Sequence, residues 1–245
     1  MPQESRNNAR PGRFATTSWS VVLKANARDA DGKVAFEDLC VAYWYPLFAY
    51  ARRKGLSAQD AEDAVQSFLG GLFESGVVER ANPERGRFRS FLITAFNQFF
   101  SQLYEYDSAK KRRPTGRLIS IDVAFGNERY LREPADRETP ESHFERAWAL
   151  TVIERAIARL KIDWVANGRE EKFDALKGYL TNAGTESGRE LASKLGMSEG
   201  AVRVALHRLK SQFGQMLRSE VELTLESGAD VDHELKLLLA ALAAA

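Results

Sequence analysis

Hydrophobic residues recur at helical spacing along most of the chain, and no segment of any length shows the alternation typical of a β-strand. In the first half, this pattern predicts helices over about 34–54, 57–73 and 88–106. In the second half it predicts a long amphipathic helix from Ser142, another around Phe173–Leu180, and a short C-terminal helix around Leu235–Leu242. The sequence therefore predicts an all-α protein.

The most specific local pattern lies between Ser187 and Met216. Ser187 followed by Glu190 is typical of a capping box, Gly196 can close a helix with a positive φ, and Ser198 is a good N-cap for a second helix. Apolar residues continue at helical period on both sides of the turn, so the segment is predicted to be two helices joined by a tight turn. They are Leu191, Ala192, Leu195, Val202, Leu206, Leu209, Phe213 and Met216.

Basic residues on the second of these helices indicate a function. Arg203, His207, Arg208 and Lys210 fall away from the apolar stripe, as they would on a helix that enters a DNA groove. The alternative is an ordinary pair of helices with a solvated basic face, which is common in helical domains. The pattern favours DNA binding without deciding it.

The charges are segregated, although the formal net charge is only +1. Nine Lys and Arg residues face three acids between Arg80 and Arg117, and six face two between Arg189 and Arg218. From Glu220 to the end, six acids accompany Lys236 alone. The two basic segments are candidate phosphate-binding surfaces. We hypothesise that the acidic tail docks on the basic domain that contains the helix pair at 187–216, because the charges are opposite and close in sequence.

The predicted helix over 88–106 is unusually rich in aromatic residues. Arg89, Asn97, Gln98 and Gln102 are interleaved with them, and Lys110, Lys111, Arg112 and Arg113 follow. Aromatic residues at helical spacing usually belong to a core. Beside basic and amide side chains they also suit single-stranded nucleic acid, on which bases stack. Both interpretations stay open at this stage.

Several classes of function are disfavoured by composition. No apolar run is long enough to span a membrane, and the N-terminus lacks the apolar core of a secretory signal, so we expect a cytoplasmic protein without membrane contact. Cys40, the single cysteine, lies among apolar residues and is expected to be buried and inert. The three histidines have no ligand spacing, so we expect neither a metal nor another cofactor.

Taken in order along the chain, the motifs resemble a known family. DAEDAVQSF at 60–68, FRSFLITAFN at 88–97, KKRR at 110–113 and EGAVR at 199–203 resemble bacterial sigma factors of the extracytoplasmic-function group in the sigma-70 family. FATTSWSVVL, YWYPLFAYARRKG, NPERGRFRSFL and VDHELKLLLAAL look like a planctomycete-type sigma-like subgroup. The resemblance covers nearly the whole chain, and its specificity comes from the order and separation of the motifs.

The resemblance implies two small helical domains joined by a linker. Residues 14–108 would form a sigma region 2-like domain, 109–141 the linker, 142–225 a sigma region 4-like helix-turn-helix domain, and 226–245 an acidic tail with a short helix. It implies a sigma factor that binds core RNA polymerase and directs promoter recognition and melting. The sequence does not say whether an anti-sigma factor, a kinase or the acidic tail holds such a protein inactive.

The resemblance also implies roles for individual residues. Glu62, Asp63 and Gln66 would contact polymerase, and Asn97 would help to hold a flipped base of the −10 element in a pocket walled by the loop at 76–86. The other residues implied at the −10 element are Arg89, Gln98, Lys110, Lys111, Arg112 and Arg113; those implied at the −35 element are Ser198, Glu199, Arg203, His207, Arg208 and Lys210.

The chain departs from the family pattern on the second helix of the helix-turn-helix. Two other classes of function are also considered. Val204 and Ala205 stand where many members carry polar or basic residues, which reduces direct base reading there. One alternative is a helix-turn-helix regulator that does not use polymerase-dependent initiation. The other is an enzyme using Asp60, Glu62 and Asp63. We expect no enzyme, because adjacent carboxylates on a helix point apart and no supporting cluster accompanies them.

Overall fold

A computed structural model describes residues 22, 24–25, 29–74, 87–107, 129–130, 139–181, 183–225 and 229–243, with the backbone alone at 73, 74 and 103–107. All regular secondary structure in these ranges is helical, which confirms the predicted all-α class. The helices are α1 (Ala30–Arg53), α2 (Ala58–Glu74), α3 (Phe88–Asp107), α4 (Pro140–Ala166), α5 (Glu170–Leu176) with a 3-10 turn (Lys177–Leu180), α6 (Gly188–Leu195), α7 (Glu199–Glu222) and α8 (Val231–Ala243).

Short polar side chains begin several of these helices. The Asp29 carboxylate accepts a hydrogen bond from Gly32 N at 2.7 Å, and Thr139 Oγ1 accepts one from Ser142 N at 3.2 Å. Ser57 Oγ accepts from Asp60 N at 3.1 Å and donates to the Asp60 carboxylate at 2.6 Å. These bonds satisfy backbone N–H groups that the first turn of a helix leaves without partners.

The first hydrophobic core is built around α1. Phe48, Leu47 and Tyr50 of this helix are fully buried, and the helix continues through Pro46. Around it pack α2, α3, the N-terminal half of α4 and α8. Cys40 is buried here, as predicted. The core residues contributed by the surrounding helices include Ala61, Val65, Phe68, Leu92, Phe96, Phe144, Trp148, Val152 and Leu238.

The second core joins the C-terminal half of α4 to α5, α6 and α7. Trp164 and Phe173 meet with ring centroids 6.0 Å apart, and Leu191, Val202 and Leu209 close the interior. The predicted helix around Phe173–Leu180 is divided into α5 and the 3-10 turn. This core holds the helix-turn-helix segment against the end of α4.

Two helices belong to both cores. At 1.5 Å per residue, the 27-residue α4 is about 40 Å long and passes from one core to the other. It is fastened to α7 by the buried Glu220 carboxylate, whose oxygens lie 2.5 Å from Arg159 Nη1 and 3.6 Å from Arg155 Nε. Trp164 Nε1 donates to Gln212 Oε1 at 2.9 Å. Helix α4 thus contributes to both hydrophobic cores. The predicted boundary between the linker and a second domain at residue 142 stays a prediction.

None of the described helices combines the length and the apolar character that crossing a bilayer requires.

Candidate nucleic-acid interface

The helix-turn-helix begins and turns as its sequence predicts. Ser187 Oγ accepts from Glu190 N at 3.2 Å, and the Glu190 carboxylate accepts from Ser187 N at 2.6 Å, so the capping box is complete. These hydrogen bonds hold the pKa of Glu190 below its usual value. Gly196 closes α6 in the left-handed region with φ 61°, and Ser198 Oγ accepts from Ala201 N at 3.2 Å to begin α7.

Packing of the apolar stripe fixes which side of α7 faces outward. Leu191 and Ala192 of α6 are buried together with Val202 and Leu209 of α7. Further along α7, the side chains of Leu206, Phe213 and Met216 are partly buried against the same core. Since one side of α7 is held against α4, α5 and α6, its opposite side lies on the surface.

The exposed side of α7 carries the predicted basic residues. Arg203, His207 and Lys210 are separated by four and then three positions, so they lie along one face, and Arg208 projects about 100° around the helix from His207. All four are exposed, and none makes an ion pair or a side-chain hydrogen bond with another described residue. Ser198 and Glu199 are also exposed at the N-terminus. We call this surface the basic face of α7.

Small residues accompany this face, and the sequence reasoning did not single them out. Gly200, Ser211 and Gly214 lie at helical spacing from Arg203 and are exposed. Because these side chains are absent or short, the backbone of α7 is accessible between the basic side chains, and a nucleic-acid backbone can approach it closely. Val204 is 52% exposed beside them, and an apolar side chain there can contact the methyl group of thymine. The signal that could have found these residues was their spacing.

The three residues implied for polymerase contact share one side of α2. Asp63 is exposed, while Glu62 and Gln66 are half-buried, with Gln66 Nε2 donating to Glu62 Oε1 at 3.0 Å. Partial burial, with the nearby Asp63 charge, raises the pKa of Glu62. Gln59 Nε2 lies 3.5 Å from Asp63 Oδ1. The structure brings these side chains together as a polar surface, and the partner of this surface stays a prediction.

Of the residues implied at the −10 element, the structure describes Arg89, Asn97 and Gln98. Gln98 is exposed on α3 and Asn97 is half-buried. Lys110, Lys111, Arg112 and Arg113 lie outside the described residues, as does the loop at 76–86 that was expected to wall a pocket.

Arg89, implied at the −10 element, lies in the interior of this structure. It is 4% exposed, and its Nε lies 2.7 Å from the Glu145 carboxylate on α4. Its Nη1 contacts the Glu234 carboxylate of α8, and its guanidinium carbon lies 4.2 Å from the centre of the Trp148 ring. Neighbouring Arg87 reaches the same Glu234 carboxylate at 2.7 Å. In this arrangement Arg89 connects three helices and does not face a nucleic acid.

Asn97 is held by a polar contact between α1, α3 and α4. The Tyr50 hydroxyl makes a hydrogen bond to Asn97 Oδ1 and lies 3.0 Å from Glu141 Oε1. Burial of Tyr50, helped by the Glu141 carboxylate, raises the pKa of its hydroxyl. Burial also raises the pKa of Glu141, but hydrogen bonds from its own backbone N–H and from Tyr50, with the Lys54 charge, outweigh it and leave that pKa lowered. Asn97 is thus engaged inside the protein.

The aromatic residues of α3 decide between the two interpretations for its described side chains. Phe88, Phe96 and Phe100 are buried, with Phe96 ring centroids 4.8 Å from Phe68 and 5.2 Å from Phe100. Phe91 and Phe99 are half-buried against the same core. These rings are core residues here and do not form an open stacking surface.

The described part of the acidic tail leaves the basic face of α7 uncovered and docks elsewhere on the same helix. Helix α8 packs on α4 and on the C-terminal part of α7. An exposed ion pair joins Asp232 to Arg218, with Nη2 and Oδ2 3.3 Å apart, and the guanidinium lowers the pKa of Asp232. Helix α8 therefore packs on the first core, beside the C-terminal part of α7.

Among the described residues, no group of three or more His, Cys, Asp or Glu side chains is placed to hold a metal ion. Asp60, one of the three carboxylates considered for an enzyme, is engaged in capping α2, and Glu62 is hydrogen-bonded to Gln66.

No family model, no curated protein and no solved structure matches this chain in the comparisons.

Proposed function

We propose that the protein is a sigma-like transcription initiation factor that binds core RNA polymerase and recognises promoter DNA. The observation that carries the proposal is the basic face of α7, presented by a capped helix-turn-helix and lacking carboxylate partners among the described residues. Arginine makes bidentate contacts to guanine in the major groove, and lysine binds phosphates. The face supplies both kinds of contact within about two helical turns.

The polymerase part of the proposal rests on the polar surface of α2. Asp63 is exposed, and Glu62 and Gln66 are half-buried, on a helix of the first core that is far along the chain from the basic face of α7. A factor that links polymerase to promoter DNA needs two separate binding surfaces. The chain carries a candidate for each.

The test is capture of purified core RNA polymerase by the full chain, followed by transcription from fragmented genomic DNA. We expect capture by the wild type and its loss in Asp63→Ala/Gln66→Ala. Glu171→Ala, which removes an exposed carboxylate from α5, is the control and should bind as the wild type does. Capture by the double variant at wild-type level would remove α2 from the proposal.

A second candidate is a helix-turn-helix regulator that binds duplex DNA without melting it. This candidate is favoured because two residues implied at the −10 element are engaged inside the protein. Arg89 is buried, and Asn97 accepts a hydrogen bond from Tyr50. This function needs the basic face of α7 and no polymerase contact. Duplex binding without polymerase capture would select it.

A further inference from the structure

Helix α8 inserts one carboxylate between the arginines that begin α3. Glu234 is 1% exposed, and its two oxygens contact Arg87 and Arg89, which are two positions apart on the chain. Arg89 is further enclosed by Trp148 and Glu145 of α4. Buried carboxylates are costly unless paired in this way, so Glu234 is the residue that makes docking of α8 specific at this place.

Two guanidinium groups beside an indole ring are also a suitable site for a nucleic-acid phosphate. Arginine binds phosphate and carboxylate through the same donor geometry, and each group carries one negative charge as a diester or a carboxylate. We propose that Glu234 occupies, within the same chain, the position of a phosphate of single-stranded DNA at Arg87 and Arg89, so that α8 holds this end of α3 closed. The proposal rests on the proposed function and on the role in binding melted promoter DNA that the resemblance implies for α3.

Helix α8 is suited to be the part that moves. Its buried residues are Glu234 and Leu238, and Val231, Leu235 and Leu242 are partly buried against the first core, while Leu239 is 56% exposed and the Asp232–Arg218 pair lies in solvent. By contrast, α1 is buried along most of its length. Elements with few buried contacts open at lower free energy than the rest of a structure. Release of α8 exposes Arg87 first, because it is already 35% exposed and has Glu234 as its described carboxylate partner.

The experiment measures binding of a fluorescein-labelled oligothymidylate to the full chain by anisotropy, without polymerase. We expect Glu234→Gln to bind about tenfold more tightly than the wild type, a change typical of coupling between two sites. Leu238→Ala, which weakens α8 docking without changing charge, should act in the same direction. Glu171→Gln is the control, because it removes an exposed carboxylate of α5 that makes no ion pair with another described residue and should leave the affinity unchanged.

The identity of the site is tested by a second substitution and by salt. In Arg87→Ala/Glu234→Gln the gain should disappear. The slope of log affinity against log salt for Glu234→Gln should exceed that of the wild type by about 0.7 per phosphate contacted. Equal affinities for Glu234→Gln and Glu171→Gln, or a gain that survives Arg87→Ala, would overturn the proposal.

Amide hydrogen exchange of the wild-type protein, measured with and without oligothymidylate, tests displacement of α8 without relying on variants that must fold. Saturating oligothymidylate should accelerate exchange across Val231–Ala243, and unchanged exchange would count against displacement of α8. Duplex binding by α7 and capture of polymerase are measured separately on the same proteins. Loss of the oligothymidylate effect alone would therefore reject the closed site and leave the proposed function standing.

Discussion

Tyr50 illustrates how a single buried hydroxyl joins three helices. Its side chain is fully buried in α1, and its hydroxyl links Asn97 of α3 to Glu141 at the start of α4. Replacing it by phenylalanine leaves two polar groups without this partner. A buried hydrogen bond of this kind contributes about 1 kcal/mol to the free energy of unfolding.

Tyr50 also predicts a dependence of stability on alkaline pH. Its pKa is raised above the usual tyrosine value of 10.0, chiefly because burial disfavours the charged form. The neutral phenol therefore stabilises the fold fully below pH 10.0, and this contribution is lost as the pH rises further. Urea denaturation should show that Tyr50→Phe is less stable than the wild type near neutral pH and that the difference shrinks above pH 10.0. A constant difference would contradict the assigned ionisation.

Arg203 is the residue of the basic face of α7 for which a direct base contact is expected. Arg203→Ala should weaken duplex binding by roughly 1–3 kcal/mol and relax the preference at one base pair, because a bidentate contact to guanine is lost. Selection from a randomised duplex library, followed by anisotropy on the selected site, measures both effects. The control is Lys172→Ala, an exposed cation on α5. Equal loss on every sequence would identify a phosphate contact instead.

At the scale of the helix, glycine-to-alanine substitutions at a helix end and inside a helix should have opposite effects on stability. Gly196 ends α6 with φ 61°, whereas Gly214 lies inside α7 with ordinary backbone angles, and neither has an atom within 4 Å of an added Cβ. Gly196→Ala should destabilise by about 1 kcal/mol because of its left-handed backbone. Gly214→Ala should stabilise by up to about 1 kcal/mol, since alanine favours the helix. Chemical denaturation of both variants checks the signs, and equal signs would contradict the assigned turn.

Helices α4 and α7 determine how the whole molecule unfolds. Because both helices contribute to both cores, and the buried Glu220 joins them to each other, the two cores should unfold together. Calorimetry should show one transition. Leu47→Ala in the first core and Leu209→Ala in the second should each cost about 2–5 kcal/mol and shift that same transition. Two transitions, each affected by only one substitution, would support independent domains.

The fold class and the local turns were predictable from the sequence because they depend on neighbouring residues. Ser187, Glu190, Gly196 and Ser198 lie within one short segment, and their capping bonds form as expected. The exposure of Arg203 followed from the apolar stripe on the same helix, since a stripe that is buried turns the opposite side outward.

The burial of Arg89 was not predictable, because its carboxylate partners lie far along the chain. Glu145 and Glu234 lie 56 and 145 positions further along the chain, and no local pattern indicates that they meet one arginine. From sequence alone, a basic residue on a helix near other basic residues is expected to lie on the surface. The tertiary structure instead buries it between two carboxylates and an indole ring.

The sequence by itself determined the helical class, the caps and the turn of the helix-turn-helix, and which side of α7 is apolar, because these properties depend on spacing and short-range hydrogen bonds. Only the tertiary structure decided that α4 serves two cores, that the aromatic rings of α3 are internal, and that Glu234 of α8 meets Arg87 and Arg89. Those outcomes depend on which distant segments pack together, and many pairings of amphipathic helices are compatible with one hydrophobic pattern.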